Sequence, residues 1–256
     1  MGLRGKANKV SVSGLKLFIL LYVKSNARMK LLLVAATHFE VRPFLHHLSP
    51  DGPEGEHFTK YRLKDASIDL LVPGVGMLVT AYHMGRHLAS GSYDLAINAG
   101  IAGSFRPGIP VGSVVEVTED CVTELGAEEE DKMVSVFELG LADPDAHPYR
   151  GGRLINNLTV NVPSLEKLSK VIGSTVSTIH GSKEGIRRVR MNSRADIESM
   201  EGAAFLYSCL FAGIRNTQIR SISNFVEERD KAKWDVKTAL KNLNRVLDEV
   251  VREVTG

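Results

Sequence analysis

Short apolar runs that stop abruptly at a polar or glycine-rich group constrain the fold of this chain more than any other feature. Residues 196–200 (DIESM) form one such segment. It meets the carboxylate of Glu201 where a small-residue helix begins over residues 202–213, and a second run over residues 218–222 stops at Ser223 and Asn224. Strands buried on both faces read as continuous apolar segments, and in open α/β sheets ligands bind outside the carboxyl ends of the strands. Glu201 and Asn224 are therefore expected to face one pocket from two neighbouring strand ends.

The same pattern recurs along the chain. Residues 30–36 (KLLLVAA) read as a buried parallel-type strand ending at Thr37, with a helix expected over 41–48; Thr37 suits its cap and Glu40 its first turn. A strand pair is expected over 60–63 and 68–72, followed by Pro73-Gly74-Val75-Gly76. Here Val79 replaces the third glycine of a dinucleotide-binding loop, so these glycines point to close approach of a ligand rather than to a dinucleotide. The spacing predicts a helix over 78–90, with His83, Arg86 and His87 sharing a face that reads first as solvated. A strand from Leu95 is expected to run into a glycine turn over 98–103 (NAGIAG), and another strand follows over 113–117. Residues 119–153 are irregular and charged, as in a loop that covers a pocket or a disordered one. Helix is expected over 164–172, strand over 175–179 ending at His180, helix from 183, and an amphipathic helix over 236–254 with Leu240, Leu243, Leu247, Val250 and Val254 on one stripe. Strands alternating with helices predict a single α/β domain with a central twisted, mixed, largely parallel sheet flanked by helices.

Read together, S-M-E-G-A-A at 199–204 and R-x-I-S-N at 220–224 resemble the nucleoside phosphorylase and nucleosidase superfamily, whose usual pattern is V-E-M-E-A followed by R-x-I-S-D. The Asn at 224, R-D-K-x-x-W at 229–234 and T-x-H-G-S at 178–182 are similar to its futalosine hydrolase branch, which serves menaquinone biosynthesis. The resemblance covers nearly the whole chain from Met29 and implies a hydrolysed N-glycosidic bond. Glu40 and Glu201 would hold the attacking water, Glu201 would also grip the ribose hydroxyls, Met200 would pack beside the sugar, and Asn224 would face the base. Gly76, Ala99, Gly100, Thr178, Ser223, Phe225 and Trp234 would complete the substrate site. For the 5′ substituent, an aryl ketone with a carboxylate, Tyr149, Arg150 and Arg229 join Phe225 and Trp234 as suitable residue types; core packing and a surface ion pair explain them as well.

Position 224 departs from the adenosine-type pattern. An amide cannot deliver a proton to the leaving purine as Asp can, but its NH2 can donate to N7 and a 6-carbonyl, so a 6-oxopurine is expected. A phosphorylase of 6-oxopurine nucleosides, a 5′-methylthioadenosine/S-adenosylhomocysteine nucleosidase and a catalytically silent nucleoside-binding module are the competing readings. The resemblance also implies homo-oligomers that complete each other's pockets, with no metal and no cofactor.

Composition sets the remaining bounds. A chain of 256 residues that is 43% hydrophobic can bury one large core. Its formal charge of +2 is uneven: residues 1–28 hold six basic and no acidic side chains, leaving 26 basic against 30 acidic in the rest. A mildly acidic body gives no reason to expect a nucleic-acid partner. Two isolated cysteines, Cys121 and Cys209, fit a reduced cytoplasmic setting, and no zinc-ligand spacing occurs. The apolar run at 15–23 is too short for a bilayer, which takes roughly 20 residues, so no membrane partner is expected. Residues 1–28 read as an extension upstream of a functional start at Met29, with an export signal as the alternative.

Overall fold

A computed structural model describes residues 28–129 and 132–256. The expected leader and two residues of the acidic run at 128–131 lie outside the described residues. Met29, the expected functional start, packs partly buried against the main core.

In chain order the elements are β1 (Lys30–Val34), α1 (His38–Leu45), β2 (Ser49–Pro50), β3 (Phe58–Leu63), β4 (Ala66–Leu71), α2 (Met77–Ser90), β5 (Leu95–Ser104) and β6 (Val114–Asp120). Next come β7 (Gly126–Glu129), β8 (Lys132–Ser135), β9 (Tyr149–Arg150), β10 (Arg153–Ile155), α3 (Pro163–Glu166), β11 (Ser169–Thr175) and α4 (Lys183–Asn192). β12 (Ile197–Ser199), α5 (Gly202–Ala212), β13 (Asn216–Phe225) and α6 (Val236–Thr255) complete the chain.

Strand β1 shows why apolar runs locate the sheet. Leu31 and Leu33 point to one face and join Val41 and Phe44 of α1 and Leu243, Leu247 and Val250 of α6. Leu32 and Val34 point to the other face and join Met84 of α2 and Phe205, Leu206 and Cys209 of α5. With both faces covered, no polar alternation is tolerated. Leu243, Leu247 and Val250 are fully buried, and each such side chain contributes about 1.5–3 kcal/mol.

The sheet closes on itself. Strand β5 pairs in parallel with β1 through its first half and antiparallel with β12 through its last two residues, while β13 runs parallel along its other edge. β13 then pairs with β6, β6 with β11, and β11 with β12, so five strands encircle a barrel from which β1, β4 and β3 extend as an open wing. The domain is thus α/β with a curved, barrel-like mixed sheet flanked by helices.

Several boundaries differ from expectation. Helix α1 starts at His38 rather than residue 41, because Glu40 reaches back to the Thr37 backbone N–H at 3.0 Å as the third residue of a capping box. Residues 98–103 are not a turn after a strand; they are the second half of β5, held extended by β13 and β12. Helix over 164–172 is confined to α3, and strand over 175–179 lies earlier as β11, since β6 and β12 bracket residues 169–175 and their ladders override local helical spacing. The 119–153 segment forms the β7–β8 hairpin and the short β9 and β10, and does not line the cleft described below.

Helix α5 begins on the barrel's polar interior, and this requires Gly202. A Cβ there would stand 2.2 Å from Gln218 Oε1 and 2.3 Å from Asp120 Oδ2. Both side chains are buried and held by hydrogen bonds, so they cannot swing aside. Gly202→Ala is expected to destabilise the fold by about 1–3 kcal/mol, as overpacking does; an unshifted urea midpoint would contradict this contact.

Candidate active site

A cleft opens at the carboxyl ends of β1, β12 and β13, with the second half of β5 as its floor. Its wall includes Glu40, Glu201, Met200, Ser223, Asn224 and Trp234, all expected from the sequence. Distant segments therefore bring the two carboxylates and the amide into one cavity.

One end of the cleft is built around a buried cation. Glu40 is 8% exposed; its Oε2 completes the α1 cap, and its Oε1 accepts the Ile101 backbone N–H at 3.2 Å. Glu201 sits between β12 and α5, where its Oε1 accepts the Gly76 backbone N–H at 2.9 Å. Beneath them lies Arg220, 1% exposed, whose guanidinium donates to Asn98 Oδ1 and to the Ile219 carbonyl, with Nε unpartnered. Burial pushes the Glu40 carboxyl above the usual carboxylate range; the Arg220 charge opposes this, and the Glu201 charge adds to it. Burial likewise lowers Arg220, while Glu201, Glu40 and Asp120 support its cationic form. Asp120, deeper still, is pushed up to about 6 by burial, against hydrogen bonds from Thr175 and Gln218.

The opposite end depends on a β-bulge. The register of β13 against β5 shifts between Ile222 and Asn224, so Ser223 and Asn224 both face the cleft where strict alternation would present only one. The Ser223 hydroxyl donates to Asn224 Oδ1 at 2.7 Å, and Asn224 Nδ2 donates to the Phe225 carbonyl at 2.9 Å. These contacts assign the amide orientation, and they leave the second N–H of Nδ2 as the free donor. Gly103 makes room beside it, since a Cβ there would stand 3.2 Å from Nδ2.

Other expected residues fall outside the wall. Gly76 reaches the site only through its N–H to Glu201, and Val75 is the wall residue instead. Ala99 is fully buried, and Gly100 lies beneath Glu40, where a Cβ would stand 3.0 Å from Oε1; Ile101, Ala102 and Gly103 line the cleft in their place, further along β5. Thr178 is exposed and its neighbour Ile179 faces the cavity. Phe225 lines an adjoining cavity with His180 and Arg229, which shares Ile179, Asn224 and Trp234 with the cleft. There the Arg229 guanidinium lies over the Trp234 ring at 5.8 Å. Tyr149 and Arg150 are not in either wall, because Tyr149 packs against Phe137 and Tyr207 on the far side of α5.

Sequence reasoning missed Glu198, Arg220 and Phe39. The readable signal for Glu198 and Arg220 is a charge inside a strand buried on both faces, which demands a buried partner. Among the described residues no cluster of His, Cys, Asp and Glu could hold a metal ion, and no helix is long and apolar enough to cross a membrane.

The sequence profile of the phosphorylase superfamily matches residues 30–252. A futalosine hydrolase of Thermus thermophilus is 30% identical over 231 residues, covering 88% of this chain and 96% of the relative. One of Streptomyces coelicolor is 32% identical over 190 residues, covering 72% and 78%. Among solved structures, a 5′-methylthioadenosine/S-adenosylhomocysteine nucleosidase of Colwellia psychrerythraea in complex with adenine aligns with a TM-score of 0.73 at 19% identity, covering 89% of this chain and 96% of that one. Futalosine hydrolase of Helicobacter pylori aligns with a TM-score of 0.71 at 16% identity, covering 88% and 98%. At such identities the structural likeness speaks for the fold alone.

Proposed function

Since the chain belongs to the phosphorylase superfamily and is a glycosidic-bond-hydrolysing enzyme of its nucleosidase kind, we propose that its substrate is futalosine, an inosine-like nucleoside, and that hypoxanthine is the leaving base. One observation carries this reading: Glu40 and Glu201 converge over buried Arg220 at one end of the cleft, while Asn224 offers a free N–H at the other.

Breaking the bond leaves positive charge on the ribose and negative charge on the purine. Glu40 orients the attacking water and takes its proton, and Glu201 binds the ribose hydroxyls and faces the oxocarbenium-like centre. The one free N–H of Asn224 is shared between N7 and the 6-oxygen of the departing base. Arg220, the cation buried beneath the wall, is already faced by Glu201, Glu40 and Asp120, so a phosphate dianion would meet the carboxylates Glu40, Glu198 and Glu201 in the wall itself. Water is the nucleophile that fits.

A 6-aminopurine nucleosidase is the competing reading. The adenine amino group would meet the Asn224 N–H donor to donor, and mismatches of this kind discriminate by ~10⁴ or more. Names carried by the curated relatives also favour futalosine. Exposed apolar side chains in the cleft wall, Phe39 and Val75, support the homo-oligomer that the resemblance implies.

The test is release of free hypoxanthine from futalosine at equal rates with and without phosphate. Ribose 1-phosphate-type products, or a higher kcat/KM for adenine release from 5′-methylthioadenosine, would overturn the reading. In Asn224→Asp the preference is expected to move toward 6-aminopurine nucleosides.

A further inference from the structure

Glu198 is a carboxylate inside a strand, only 3% exposed, and what exposure it has is part of the cleft wall. A buried carboxylate requires compensation, and a single residue supplies it. Glu198 Oε1 accepts the His180 backbone N–H at 3.1 Å, and Oε2 pairs with His180 Nδ1. The far ring nitrogen of His180 faces Glu124 Oε1 at 3.7 Å. These partners favour the protonated imidazole, the Glu198 hydrogen bond most of all, against the opposing effect of burial. His180 thus supplies the two hydrogen-bonding groups that hold the buried carboxylate. Each Glu198 oxygen has accepted one hydrogen bond and has capacity for another.

Its position in the barrel fixes where that capacity is directed. Gly103 has Glu198 as its register partner on one side and Asn224 on the other, and all three line the cleft. An acceptor and a donor thus flank one glycine from its two neighbouring strands, at either side of the groove where the edge of a flat base would lie. Gly103 lacks the Cβ that would intrude on Asn224.

We propose that Glu198 is the second base-reading residue of the cleft, accepting the N1–H of a 6-oxopurine while the free N–H of Asn224 is shared between N7 and the 6-oxygen. This rests on the nucleosidase reading above and deepens it. A 6-oxopurine carries a proton on N1 that Glu198 can accept. Adenine carries a lone pair there, which meets the carboxylate acceptor to acceptor. Discrimination is then written twice, once at each end of the base edge, and His180 is a positioning residue that holds the carboxylate in place.

The experiment compares kcat/KM for three substrates: a 6-oxopurine nucleoside, its N1-methyl derivative and a 6-aminopurine nucleoside. For the unaltered protein, N1-methylation is expected to lower kcat/KM by about 10- to 100-fold, the worth of a hydrogen bond to a charged group. Glu198→Gln, whose amide can turn its NH2 toward an N1 lone pair, is expected to cut the 6-oxo to 6-amino ratio by about 10- to 100-fold. Equal cleavage of the N1-methyl and unmethylated substrates by the unaltered protein would overturn the inference, even if the variant failed to fold. So would an unchanged ratio in a folded Glu198→Gln. Failure to release a 6-oxopurine from any nucleoside would remove the functional reading and this inference together, whereas the other two results remove only this one.

Discussion

Glu40→Gln is expected to lower kcat by about 10²- to 10⁴-fold, the usual contribution of a positioned general base. Two roles meet in this side chain. Its Oε2 serves the α1 cap and its Oε1 the Ile101 N–H; an amide has one acceptor for those two donors, so a stability loss of about 1 kcal/mol should accompany the activity loss. The pH profile follows from burial, which raises the Glu40 carboxyl above the ordinary range. Below that raised value the carboxyl is protonated and cannot take a proton from water, so the acid limb of kcat/KM should lie above the range of an exposed carboxylate. Stability runs the other way. A group whose folded pKa exceeds its unfolded one contributes fully below the unfolded value and loses that contribution as pH rises through the folded one. The enzyme should therefore gain activity and lose some stability across the same interval, and Glu40→Gln should abolish both trends. Residual activity within a few-fold of the unaltered protein, or an unmoved acid limb, would remove Glu40 from the chemistry.

Arg220→Met is expected to cost about 3–5 kcal/mol, the usual effect of leaving buried charges without their partner. The size of the loss should depend on pH. Arg220 is the largest influence opposing the upward push on Glu40, so without it the Glu40 carboxyl rises further and is readily neutralised in acid. Urea denaturation should show a smaller deficit at pH 5 than at pH 8. Equal deficits at both would mean that Arg220 acts through packing and not as a counter-ion.

These two residues also mark how far the sequence could be read. Glu201 and Asn224 are legible because each ends an apolar run, and strand ends are where an α/β sheet meets its ligand; Glu40, in the first turn of the helix after β1, is singled out by the family resemblance instead. The strand at Leu31 to Val34 was legible because both of its faces are covered. Arg220 and Glu198 lie inside runs, and what makes them tolerable is non-local: Asn98 and the carboxylates for one, His180 for the other. Residues 169–172 read as the end of a helix, and the next strand as starting only at 175, for the same reason, since the ladders from β6 and β12 that make 169–175 a strand come from distant sequence. The bulge at Ser223 left no local signature and becomes visible only when β13 is laid beside β5. Barrel closure is likewise a property of pairings between strands far apart in the chain.

Strand β5 behaves as a ruler. Its Ile101 N–H pins the Glu40 carboxylate, proposed to meet the water, and Gly103, two positions on, is flanked by Glu198 and Asn224, proposed to meet the base. Two steps of extended backbone span roughly 7 Å, a length set by bond geometry and immune to rotamer drift. Substitutions around Gly103 can therefore retune which heterocycle is accepted without displacing the centre where the bond is broken, whereas a slip in this one strand would shift both at once.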